Sequence, residues 1–150
     1  MEVKKLTIGL LIICTGKYDI FLQRLIDSLS THFFPEDEII IYLFWDKPMY
    51  NLNLPSRFSV ICVPTPHQPF PYPTLKRYEF FTAASEKIHC EYIFYLDVDM
   101  LLVSDVGHEI LPAEGDGGLV ATGHPGFWVT GGSWCNQTNS TAYTPEPNRT

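Results

Sequence analysis

Asp97 and Asp99, one valine apart, are the residues of this chain best placed to do chemistry. They follow the apolar run Tyr92-Ile93-Phe94-Tyr95-Leu96 and precede a second one, Met100-Leu101-Leu102-Val103. The first run reads as a buried strand, and carboxylates at its end would be costly merely as core filling. In an extended segment residues i and i+2 share a face. Asp97 and Asp99 are therefore expected to point together into the crevice beyond the carboxyl ends of an open α/β sheet. Two hard oxygen donors there suit Mg²⁺ or Mn²⁺ with a diphosphate completing the coordination. A bare DxD is common on solvated turns; it is the framing by apolar runs that argues for a site.

The elements that must carry these carboxylates can be read upstream. Leu6 to Ile13 is a nearly unbroken aliphatic run, the pattern of a central parallel strand. Cys14-Thr15-Gly16-Lys17-Tyr18 forms a turn, Asp19 is placed to cap the next helix, and Phe21, Leu25, Leu29 and Phe33 recur every four residues along its apolar face. Glu38 to Trp45 and Phe58 to Val63 read as further strands. After a loop holding Pro64, Pro66, Pro69, Pro71 and Pro73, Thr74 is placed to cap a helix that buries Leu75, Tyr78, Phe81 and Ala84 and ends near Ile88. Gly118 to Thr122 suggests another short strand. The order β-α-β-β-α-β predicts an α/β fold with a mainly parallel sheet. Residues 1–130 then form a ligand-binding part, and 131–150 a polar loop or tail without hydrophobic period.

Bulk properties exclude several classes. At 150 residues, with 45% hydrophobic content, the chain can bury a real core. A net charge of −7 without a basic stripe argues against nucleic acid as a partner. The four cysteines, Cys14, Cys62, Cys90 and Cys135, form no CxxC pair, which argues against zinc and for reduced thiols. The apolar run at the start is too short to cross a bilayer and lacks a cleavage signal. The expectation is a chain with no transmembrane segment, cytoplasmic or peripheral at a membrane, and Golgi-lumenal only if an anchor lies outside it. Sequons at Asn136, Asn139 and Asn148 are then chance products of an Asn/Thr-rich stretch.

Several segments together resemble glycosyltransferase family 6, which holds the blood-group A and B transferases, the α-1,3-galactosyltransferases and bacterial homologues lacking an anchor. Ile12 to Phe21 is similar to the family's first strand and turn, and Thr74-Leu75-Lys76-Arg77-Tyr78 to its second-helix motif. Phe94 to Asp99 is similar to its metal-binding strand, and Glu109-Ile110-Leu111-Pro112, His124-Pro125-Gly126-Phe127 and Ser140 to Pro145 to later landmarks, all in family order.

The resemblance implies a GT-A type, Rossmann-like fold. It also implies retaining transfer of galactose or N-acetylgalactosamine from UDP-galactose or UDP-N-acetylgalactosamine, in α-1,3 linkage, to a galactoside acceptor. On this basis Tyr18 stacks on uracil, while Ile13, Cys14 and Thr15 line the base pocket, partly through main chain. Arg77 offsets the diphosphate charge, Asp97 and Asp99 hold Mn²⁺ (or Mg²⁺), Val98 lies beside the ribose, and His124 binds the acceptor.

Two departures from the family pattern matter. Trp134-Cys135-Asn136-Gln137 stands where the family has an aromatic-Glu-Arg-Arg stretch. The glutamate that faces the reacting carbon in the family falls beyond Thr150, so no catalytic residue is assignable. The expectation is therefore an N-terminal part of such an enzyme, with a truncated, inactive UDP- and metal-binding remnant as the alternative. A haloacid-dehalogenase phosphatase also opens on a strand-DxD, but it needs Thr or Val where Leu101 stands.

Overall fold

The structure, a computed structural model, describes residues 5–49, 51–113, 115 and 117–121. The chain divides into two compact units, Met1–Leu111 and Pro112–Thr150. The first holds β1 (Thr7–Cys14), a 3₁₀ turn (Gly16–Tyr18), α1 (Asp19–His32), β2 (Glu38–Trp45), β3 (Phe58–Pro64), the short α2 (Tyr72–Leu75), α3 (Arg77–Ala83) and β4 (Tyr92–Tyr95). All strand pairings are parallel, in the order β3-β2-β1-β4. The mainly parallel α/β sheet expected from the sequence is present, with the topology of a GT-A-like fold.

After their first residues, Thr7 and Glu38, β1 and β2 are apolar because both faces of the sheet are covered there. On one face Ile8, Leu10, Ile12 and Cys14 of β1 join Ile39, Ile41, Leu43 and Trp45 of β2 beneath Leu22, Leu25, Ile26 and Leu29 of α1. On the other, Leu11, Tyr42 and Phe44 meet Ala84, Phe80 and Phe81 from the α3 region. The alternation is the two-residue strand period read directly off the sequence. Gly9 belongs to this second face. A Cβ there would lie 2.4 Å from Cys90 Sγ and 3.2 Å from the Tyr42 ring, so only glycine admits both neighbours.

α1 stops at His32, one residue short of the last position of the four-residue repeat. Phe33 lies just beyond it, bridged to Val106, and Phe34 has φ 42°. Carbonyls at and just beyond this end are gathered by Arg57. Its Nη1 donates to Phe34 O (3.0 Å) and Asp37 O (3.2 Å), and its Nη2 to Leu29 O (3.4 Å), Ser30 O (3.2 Å) and Phe33 O (3.1 Å). A planar cation at a helix C-terminus satisfies both the orphan carbonyls and the local negative potential.

Other local expectations are corrected. Asp19 is the first residue of α1 and not its cap, and its carboxylate accepts from Lys47 Nζ at 2.6 Å. Pro71, not Thr74, precedes the next helix, which breaks into α2 and α3 with Lys76 between them. Leu75 and Tyr78 are 70% and 75% exposed, so of that predicted buried face Phe81 is half-buried and Ala84 alone is fully buried. In the second unit Gly117 and Gly118 turn with φ 66° and 79°, and 118–121 form no strand; Thr122 lies outside the described residues.

Candidate functional site

The strand order builds the site. The chain runs outward from β1 through β2 to β3, then returns to the other side of β1 as β4. The segments leaving β1 and β4 therefore diverge, opening the crevice in which doubly wound sheets take their ligands. At that point lies a cleft of about 240 Å³. Its walls are Ile13, Thr15 and Tyr18 from the end of β1 and the turn after it, Tyr95, Asp97, Val98 and Asp99 from the end of β4 and beyond, His67, Gln68 and Phe70 from the loop between β3 and α2, and Pro73 and Thr74 from α2.

The turn after β1 is fixed from several sides. Gly16 N–H donates to Asp46 Oδ2 at 2.9 Å, and Gly16 adopts φ 64°. The His67 ring lies against its α-carbon, where a Cβ would come within 2.6 Å of Cε1. His67 Nδ1 and the buried Thr15 Oγ1 are hydrogen-bonded at 3.3 Å. Tyr18 is left 46% exposed beside the cleft, with its ring 6.0 Å from Phe21. An exposed aromatic face on a rigid turn is a stacking platform for a flat ligand.

Asp97 and Asp99 line the same cleft, as their spacing suggests, but not by strand geometry. β4 ends at Tyr95, and the aspartates sit in a turn closed by Met100 N–H donating to Asp97 O at 3.2 Å. Val98, 4% exposed, anchors that turn in the core, while both carboxylates are exposed. Tyr95 Oη donates to Asp97 Oδ1. Burial, together with this bond to a carboxylate, pushes the Tyr95 phenol up, so it stays a donor at neutral pH.

Among the described residues, neither carboxylate has a basic partner, and none of the cleft walls is a lysine or arginine. Nor does any group of three or more His, Cys, Asp or Glu side chains among them form a self-sufficient metal cage. Two carboxylates facing an open cleft do fit a Mg²⁺ or Mn²⁺ ion whose remaining ligands are water and phosphate oxygens.

Of the residues singled out from sequence, Ile13, Thr15, Tyr18, Asp97, Val98 and Asp99 are brought together at this cleft. Cys14 is not a wall. Strand alternation turns its side chain into the α1-facing core, where burial first, and Asp19 second, push its thiol up to about 12. Arg77 stands behind the wall: its guanidinium carbon lies 4.6 Å over the Tyr95 ring and its Nε donates to Thr74 O at 2.9 Å. His124, the other landmarks after residue 121 and the sequons lie outside the described residues. Sequence reasoning missed His67, Gln68, Phe70 and Tyr95 as wall residues. The density of prolines around the first three was the signal of an ordered loop, and Tyr95 is a phenol on a strand that apolar residues could have filled.

A parallel, Rossmann-like sheet with an exposed tyrosine and paired aspartates at its switch point places the chain in the α/β class. The family model described as glycosyltransferase family 6 matches residues 1–148, and the chain belongs to that family. It is similar to histo-blood group ABO system transferase 2 of Rattus norvegicus, 30% identical over 133 residues, covering 85% of this chain and 38% of that protein. It is also similar to globoside alpha-1,3-N-acetylgalactosaminyltransferase 1, at 30% identity over 151 residues in Gallus gallus and over 130 residues in Homo sapiens. These two matches cover 94% and 83% of this chain, against 42% and 36% of the relatives, so the chain spans about two fifths of their length.

Proposed function

We propose that this chain carries the donor-binding part of a retaining glycosyltransferase. The donor is UDP-galactose or UDP-N-acetylgalactosamine, bound with Mn²⁺ (or Mg²⁺), and the sugar passes in α-1,3 linkage to a galactoside acceptor. The observation that carries the reading is a cleft at the sheet's switch point with Tyr18 on one wall, Asp97 and Asp99 on another, and no basic side chain on any described wall. Such a cleft repels a bare diphosphate and accepts one that brings a divalent cation.

Asp97 and Asp99 hold the cation, Tyr18 stacks on the base, and Ile13 and Thr15 shape the base pocket, Cys14 contributing by main chain. Arg77 supplies positive charge behind Tyr95, and Val98 flanks the ribose. When bound, the metal neutralises charge on the departing diphosphate. His124, outside the described residues, is proposed to contact the acceptor, and residues 1–130 to form the donor part. The names of the relatives, an ABO system transferase and an alpha-1,3-N-acetylgalactosaminyltransferase, support this choice of reaction.

Calorimetry with UDP in the presence and absence of Mn²⁺, beside transfer of label from each UDP-sugar to a galactoside, tests the reading. Metal-dependent UDP binding with transfer supports it in full. Binding without transfer supports the donor site and assigns this chain a nucleotide-binding role alone. Metal-independent or undetectable UDP binding refutes it.

A further inference from the structure

Tyr95 touches two of the proposed charge-bearing groups, Arg77 and Asp97. It is the last residue of β4, in register with Leu11 of β1, so its backbone is fixed by the sheet. Its ring packs on Phe81 with centroids 5.4 Å apart. The same ring carries the Arg77 guanidinium at 4.6 Å, and its hydroxyl donates to Asp97 Oδ1. The same guanidinium is tied through Nε to Thr74 O, on a cleft-wall residue. One side chain thus joins the cation on α3 to a carboxylate beyond β4.

We propose that Tyr95 is a positioning residue that sets the orientation of the Asp97 carboxylate toward the divalent cation and holds Arg77 just behind the cleft wall, where its charge acts on the diphosphate. The inference rests on the donor-site reading above. An exposed carboxylate otherwise turns freely about its last torsion. With Oδ1 engaged by the phenol, Oδ2 is left for the metal, in the manner of the outer hydrogen bonds that orient metal ligands. The guanidinium on the ring face keeps its planar fork of donors while its long side chain loses freedom before the ligand arrives. Phenylalanine at this position preserves the ring contacts with Arg77 and Phe81 and removes the hydroxyl alone. Leucine removes both functions.

The test uses the whole 150-residue chain, with Mn²⁺ affinity read by electron paramagnetic resonance in the presence of UDP, and UDP affinity read by calorimetry in EDTA. Tyr95→Phe is expected to weaken Mn²⁺ binding roughly three- to ten-fold, the worth of one hydrogen bond, while its melting temperature and its UDP affinity in EDTA stay at the wild-type values. Tyr95→Leu is expected to weaken both affinities. Asp97→Ala serves as the reference for loss of the metal ligand. If Asp97→Ala abolishes Mn²⁺ binding but Tyr95→Phe binds it as the wild type does, the positioning role is refuted and the donor site stands. If Asp97→Ala leaves Mn²⁺ binding intact, the donor-site reading and this inference are refuted together.

Discussion

Replacing Gly16 with alanine tests whether the turn after β1 is built around His67. At φ 64° an L-residue is strained, by about 1–2 kcal/mol. The unfolded chain loses freedom when alanine replaces glycine, which returns about 0.4–1 kcal/mol. The net backbone cost is then about 1 kcal/mol. The new methyl would sit 2.6 Å from His67 Cε1 and 2.8 Å from Nδ1, so the ring must swing away. That breaks the 3.3 Å hydrogen bond to Thr15, worth about 0.5–1 kcal/mol at a partly solvated site. The total destabilisation expected in urea unfolding is about 2 kcal/mol. Repeating the substitution in a His67→Ala background removes the collision and leaves only the backbone cost, so the double-mutant cycle is expected to show a coupling of about 1 kcal/mol. UDP affinity should fall in Gly16→Ala, because Thr15, Tyr18 and His67 all stand on the cleft wall. An equal cost of Gly16→Ala with and without the histidine would refute the packing argument.

Asp97→Asn and Asp99→Asn should each lower Mn²⁺-dependent UDP affinity at least about ten-fold, or ~1.4 kcal/mol, with little change in melting temperature since both side chains are exposed; calorimetry showing unchanged affinity would contradict the assignment. Arg57→Met should destabilise the fold by about 2–3 kcal/mol, since the carbonyls it collects at the end of α1 lose a charged donor. Arg57→Lys should recover only part of this, and full recovery in denaturant titrations would show that the fork geometry is irrelevant. The Cys14 thiol gives a pH dependence whose sign is fixed. Its value rises from 9.0 to about 12 on folding, so between those values the unfolded chain holds fewer protons and stability falls with rising pH. One thiol contributes a slope of about 1.4 kcal/mol per pH unit there, and comparison with Cys14→Ala across that range isolates it.

The sheet was legible because burial writes its own pattern. β2 falls on the residues expected, Glu38–Trp45, and β1 and β3 within one residue at each end, since unbroken aliphatic runs leave no other period to choose. The second helix was not legible in the same way. Leu75, Tyr78 and Phe81 have helical spacing, yet the helix breaks at Lys76 and exposes the first two, which their spacing alone does not reveal. Site residues showed the same division. Asp97 and Asp99 announced themselves because carboxylates interrupt an apolar run. His67 sits among prolines far from the aspartates in sequence, and only the parallel topology that returns the chain past β1 brings it to the cleft.

That topology also decides the electrostatics. A chain of net charge −7 presents two carboxylates and no lysine or arginine on the described cleft walls. A diphosphate placed about 4 Å from one such carboxylate meets a repulsion of about 4 kcal/mol per charge pair at an effective dielectric near 20. Arg77 is stacked behind Tyr95 and can offset only part of it. On the proposed reading, a divalent cation between the two sets of oxygens would add an attraction to each that outweighs the remaining repulsion, so a charge pattern that disfavours a bare nucleotide would favour its metal complex. On that reading, selectivity would owe as much to the lack of a basic residue on the described walls as to the aspartates. Introducing a lysine at Gln68, on the opposing loop of the same cleft, is accordingly expected to raise UDP affinity in EDTA and to shrink the affinity gained on adding Mn²⁺. An unchanged metal dependence in Gln68→Lys would show that the cation acts through coordination geometry alone.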